Sequence, residues 1–140
     1  MISRRLAGIC IAVATATSNA APARLAVAST CEAKILGRKS AKGAPRFGFV
    51  SAGTQQPIKV FAISVSRGGT DERICHVRSS PGYKFRPLEG DWTYGTVPPG
   101  FLSDGCSALA VGEVYQIRVV GSCLGLLRFR LERGGRIAVL

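Results

Sequence analysis

A thiol and an imidazole are adjacent in this chain at Cys75-His76. A thiol activated by an imidazole would support acyl transfer. The pair, however, sits in "RICHVRS", which reads as a β-strand, and neighbouring side chains on a strand point to opposite faces. His76 is the chain's single histidine; it is expected as a strand residue facing solvent or a nearby loop, with Cys75 oxidised. The other acid–base groups are eight carboxylates: Glu32, Asp71, Glu72, Glu89, Asp91, Asp104, Glu113 and Glu132. Most lie in turn-like stretches: Asp71-Glu72 near Gly68-Gly69, Glu89-x-Asp91 around Gly90, Asp104 before Gly105. Turn formation accounts for them, and no D-x-D/N-x-D/N-G calcium loop is present. Gly68-Gly69 and Gly134-Gly135 open no helix, so they read as hairpin turns rather than phosphate-cradling loops. No catalytic, cofactor or metal site is assigned, and the expectation is a non-enzyme.

Binding chemistry is better represented. Lys and Arg number 19 against 8 Asp and Glu, a formal net charge of +11. Such a surface attracts anions: nucleic acid, anionic lipid headgroups, lipopolysaccharide or acidic polymers. If Val119 and Phe129 face inward on an antiparallel hairpin, Arg118, Arg128 and Arg130 share its outward face, with Arg133 and Arg136 just beyond. Like charges facing one another across strands are unfavourable, so bound anions would relieve the strip, and the planar guanidinium suits phosphate and carboxylate. The plainer alternative is a solvated face whose arginines splay apart in screening salt. Trp92 and Tyr94, alternating with Thr93 near Lys84 and Arg86, could stack on sugars or bases; packing in a small core competes for Trp92. No RNA-binding or helix-turn-helix motif appears, and export argues against a chromosomal target.

The elements that must hold these residues are short strands. "RFGFVS", "PIKVFAISVSR", "RICHVRS", "YKFRPL", "WTYGTV", "EVYQIRVVG", "LGLLRFRLE" and "RIAVL" are separated by turns such as "RGGTDE", "EGD" and "RGG", while "PPGFLSDG" reads as a break. Short strands at this spacing, with no helical periodicity, predict an all-β sandwich or barrel. Alternation places Ile117, Val119, Leu127, Phe129 and Leu131 inward and Gln116, Arg118, Arg128 and Arg130 outward.

The N-terminus reads as an export leader over residues 1–20: basic "MISRR", apolar "LAGICIAVATAT", and a small-residue site at Ser18-Asn19-Ala20. A second site, Ala26-Val27-Ala28, allows a cut as late as 28. The apolar run falls short of the ~20 residues that span a bilayer, and Ile9 and Thr30 spoil a lipoprotein site at Cys10 or Cys31. The expected product is periplasmic or secreted: a flexible stretch over 21–31, then one β-domain over 32–140. Cys31, Cys75, Cys106 and Cys123 remain after the leader. Four cysteines in an exported chain read as two disulfides, and none of them forms the C-x-x-C pair that zinc favours.

Leu109-x-x-Gly112-x-x-Tyr115-x-Ile117-x-Val119 resembles the turn and strand carrying the tyrosine corner of fibronectin type III and immunoglobulin-like sandwiches. "WTYGTVPPGF" followed by "CSALAVGEVYQIRVVG" is similar to a group of small exported proteobacterial proteins without an assigned activity, over Trp92 to about Leu131. The resemblance implies a single antiparallel sandwich of about seven strands, and no reaction. It makes "RICHVRS" strand C and "EVYQIRVVG" its neighbour F, which puts Cys75 near Cys123 and leaves Cys31 with Cys106. Cys106–Cys123 closes a shorter loop but needs the intervening strand to double back, and connectivity stays open. Function is expected to be that of an envelope accessory domain contacting an anionic partner or another envelope protein. The alternative is a small inhibitor of a hydrolase acting through the 96–105 loop, whose prolines restrict it before binding.

Overall fold

The computed structural model describes residues 31–39, 42–81 and 86–140. The expected leader and the stretch 21–30 lie outside the described residues, as does Lys84. Cys31, expected in a flexible segment, instead opens a strand. In chain order the strands are β1 (Cys31–Arg38), β2 (Arg46–Ser51), β3 (Val60–Arg67), β4 (Arg73–Ser79), β5 (Trp92–Thr93), β6 (Phe101–Cys106), β7 (Val114–Gly121), β8 (Cys123–Leu131) and β9 (Ile137–Val139). A 3-10 turn at Arg133–Gly135 separates the last two.

The protein is all-β, as the strand spacing predicts. The strands form one curled, mixed sheet in the order β5-β2-β1-β8-β7-β3-β4-β6, with β9 alongside β8. β1 and β6 were not anticipated, and "YKFRPL" contributes, within the described residues, a single bridge from Leu88 to Val60. Every pair is antiparallel except β1 with β8.

Alternation explains the central strands. On β7, Tyr115, Ile117 and Val119 are fully buried, and Phe129 and Leu131 of β8 point the same way. Ile63 and Val65 of β3 and Val77 of β4 continue this layer. Opposite it lie Phe47 and Phe49 of β2 and Trp92 of β5, all buried. The Phe47 ring sits 5.2 Å from that of Phe129, although β1 runs between their strands. In a flat sheet, strands two apart would be ~9.5 Å from each other. The curl closes that gap and turns the inner faces of β2 and β8 onto one core.

Tyr115 anchors the turn before β7. Its buried hydroxyl accepts the amide N–H of Ala110, five residues upstream, at 2.8 Å. The turn between them needs Gly112, whose φ of +91° is a region side chains rarely adopt. Leu109 packs half-buried against the core.

The disulfides are Cys31–Cys123 and Cys75–Cys106, which corrects the expected Cys75–Cys123 and Cys31–Cys106. The reason is strand order: β3, not β4, is the neighbour of β7, so two whole strands, β3 and β7, separate Cys75 on β4 from Cys123 on β8. β6 borders β4 and sets Cys106 opposite Cys75, with Cα atoms 4.1 Å apart. The parallel start of β1 does the same for Cys31 and Cys123, at 4.6 Å. Close approach there depends on Gly125, where a Cβ would lie 2.7 Å from the Ala33 carbonyl oxygen.

Candidate functional site

The outward face of β7 and β8 carries Arg118, Arg128 and Arg130, all exposed. Their register differs in one respect from the expected stack of opposed charges. Arg118 stands opposite Leu126, Arg128 opposite Gln116, and Arg130 opposite Val114. Arg118 and Arg128 are therefore diagonal neighbours, roughly 7–8 Å apart at the backbone, and their repulsion is milder than direct opposition would give. Other arginines find acids: Arg38 and Arg46 hold Asp91 at 3.5 and 3.7 Å, Arg67 holds Glu72 at 3.1 Å, and Arg78 holds Asp104 at 3.4 Å. Among the described residues, Arg118, Arg128, Arg130 and Arg133 form no such pair.

Arg133 and Arg136 leave this face. They line a cleft at the β8–β9 turn together with Arg38 and Lys39, over a floor that includes Ile137 and Val139. One acid answers them weakly: Glu132 lies 4.0 Å from Arg136. Nothing in the sequence around Arg38 and Lys39 marks them as neighbours of Arg133 and Arg136. Their juxtaposition with the last turn comes from the curl, which has no local signature. The structure thus divides the expected strip of five arginines into a face of three and a cleft of two, to which Arg38 at the end of β1 and Lys39 just after it add two more cations.

His76 lies on β4, mostly covered, beside the β6 residue Asp104 and the Cys75–Cys106 bridge. Nη1 of Arg73 is 3.1 Å from its Nδ1, and an Asp104 carboxylate oxygen is 3.7 Å away. Burial, then the positive charges of Arg73 and Arg78, hold its pKa below the ordinary histidine value against the opposing pull of Asp104. Arginine can only donate, so Nδ1 is the acceptor in its contact with Arg73. Cys75 is tied up in its disulfide and points into the core, so the pair supplies no thiolate–imidazole couple. Among the described residues no three His, Cys, Asp or Glu side chains gather to hold a metal.

Trp92 is buried against Phe47, their rings 6.2 Å apart, and its Nε1–H donates to the Thr96 carbonyl at 2.9 Å. It is unavailable for stacking on a sugar or base. Tyr94 donates its hydroxyl to the Ser107 carbonyl at 2.6 Å; burial, with the nearby Tyr115, pushes its phenol up to about 12 against the pull of Arg67. The expected 96–105 loop is shorter than predicted. Phe101–Cys106 is strand β6, because Cys106 and its neighbours pair with β4. Only Thr96–Gly100 remains as a turn, tied by the Trp92 bond and by the Phe101 N–H donated to Pro98 at 3.0 Å.

No family model, curated protein or solved structure matches this chain.

Proposed function

We propose that this chain is an exported, non-enzymatic binding domain that engages a polyanionic partner through the arginines of β7 and β8. The observation that carries the reading is the set Arg118, Arg128 and Arg130, exposed on one sheet face without a carboxylate partner among the described residues. Elsewhere in the same domain Arg38, Arg46, Arg67 and Arg78 are paired with carboxylates at 3.1 to 3.7 Å. Guanidinium groups left without acids on a common face can be neutralised by a ligand, and their forked donors fit phosphate or carboxylate oxygens. The cleft formed by Arg38, Lys39, Arg133 and Arg136 extends the positive surface. Two disulfides support an oxidising compartment, periplasm or exterior, and among the described residues no helix is long and apolar enough to cross a membrane. The contact of Phe47 with Phe129 favours reading the curled sheet as an immunoglobulin-like sandwich, with Tyr115 in the place of the corner tyrosine.

The test is binding to soluble polyphosphate, followed by fluorescence anisotropy over a range of salt. Wild-type affinity is expected to fall steeply with salt. Replacing Arg118, Arg128 and Arg130 together by alanine is expected to flatten the log–log slope by about 2, since each lost phosphate contact removes roughly 0.7–0.9. An unchanged slope in the triple variant would remove the face from the mechanism.

A second reading, inhibition of an envelope hydrolase, is favoured by one feature: the turn Thr96–Gly100 is fastened at both ends and displays Val97, which is 50 % exposed. Such pre-ordering lowers the entropy lost on binding. On this reading Val97→Asp raises the inhibition constant of the domain toward its target by at least about tenfold, as loss of a central apolar anchor commonly does. Inhibition indifferent to that change removes the turn from consideration.

A further inference from the structure

The face that carries the three arginines also carries aliphatic side chains that the core does not use. Val120 and Leu124 stand directly opposite each other, and Leu126 stands opposite Arg118. Their exposures are 42, 46 and 52 %. Alternation puts them on the same side as Arg118, Arg128 and Arg130, so one surface holds an apolar end and a cationic end. At the apolar end a shallow concavity is lined by Val120, Leu124, Leu126, Ala33, Glu32 and Arg118. Glu32, exposed at its rim, can keep its carboxylate in water.

A soluble polyanion would use the arginines and leave the aliphatic side chains in water. A second copy docking the same face would meet the arginines with its own arginines or its aliphatic end, and of the residues lining the concavity Glu32 alone is an acid that could answer them. A surface that presents phosphates above hydrocarbon matches both ends at once. The arginine stems lie along apolar surface while their heads stay in the polar layer. Combining buried apolar area with attraction to anionic headgroups is the general basis of interfacial attachment.

We propose that the outward face of β7 and β8 docks flat on an anionic lipid surface, Arg118, Arg128 and Arg130 on headgroup phosphates and Val120, Leu124 and Leu126 at the acyl boundary. This rests on the reading of the arginine face as an anion-binding surface and names its occupant.

The experiment is co-sedimentation of the oxidised protein with vesicles of phosphatidylcholine containing phosphatidylglycerol, and with phosphatidylcholine alone, alongside the polyphosphate assay. Wild type is expected to sediment with the anionic vesicles and about tenfold less with the neutral ones. Leu124→Ser with Leu126→Ser is expected to lower partition onto the anionic vesicles by about tenfold or more, while polyphosphate affinity stays within about twofold. Both leucines are half exposed, so the variant keeps its core, which circular dichroism checks. Equal sedimentation of the leucine variant and wild type would overturn the lipid assignment. Polyphosphate binding without vesicle binding would also overturn it while sparing the anion reading, leaving a soluble polyanion or an acidic protein as the occupant. Failure of both assays would sink both.

Discussion

Replacing Cys31 and Cys123 together by alanine is expected to lower the free energy of unfolding by about 4–5 kcal/mol, because chain-entropy loss grows with the loop a bridge closes. That bridge spans 92 residues, against 31 for Cys75–Cys106. Removing the second pair should cost less, about 3.5–4 kcal/mol on the same basis. Architecture widens the gap. β1 touches β8 through two register pairs only, Cys31 with Cys123 and Glu32 with Leu124, before turning away to pair with β2. The disulfide therefore fastens the limb β1-β2-β5 to the rest of the sheet at a seam of only two register pairs. Cys75 and Cys106, by contrast, lie on strands that pair directly at four register positions. The variants can be compared by urea unfolding at neutral pH without reductant, so that the other bridge stays closed, read by the fluorescence of the single tryptophan, Trp92. Domains of this size are marginally stable, at ~5–15 kcal/mol, so the first variant should melt on the order of 20 °C lower. A larger loss for the Cys75–Cys106 variant would mean that the seam between β1 and β8 is not the weak join.

How far these features could be read in advance depends on whether their cause is local. β7 and β8 were legible because Tyr115, Ile117, Val119, Phe129 and Leu131 alternate with polar residues, and period-two alternation is a property of the strand itself. The outward placement of Arg118, Arg128 and Arg130 followed from the same pattern. β1 offers only Ala33 and Ile35 as fully buried inward residues, too few to stand out. β6 contains Asp104-Gly105, which imitates a turn; it is a strand because β4 and a disulfide hold it. Cysteine pairing was illegible for a related reason. It depends on β3 lying between β4 and β7, a matter of sheet order that no stretch of sequence encodes. The cleft combining Arg38 and Lys39 with Arg133 and Arg136 likewise exists only once the sheet has curled.

Trp92→Ala is expected to be the most damaging single core substitution, at about 3–5 kcal/mol, the range for emptying a buried large aromatic site. The site cannot collapse easily. Trp92 sits on β5, only two residues long and paired with β2 alone, so little backbone hydrogen bonding would survive loss of its side chain. Its ring also bridges Phe47 at 6.2 Å and Tyr94 at 5.7 Å, joining the two aromatic ends of the core. Trp92→Phe separates packing from hydrogen bonding: it retains a ring against Phe47 but removes the Nε1–H that holds the Thr96 carbonyl. Its cost should be nearer 1–2 kcal/mol, roughly one hydrogen bond plus a partial void. Because the tryptophan is gone in both variants, far-ultraviolet circular dichroism during urea unfolding is the suitable measure. Hydrogen exchange over residues 96–100 adds a local one. If Trp92 fixes the turn that displays Val97, Trp92→Phe should speed exchange there while leaving β7 and β8 protected. Exchange that quickens equally across the sheet would instead assign Trp92 to global stability and leave the turn to be held by Phe101 and Pro98.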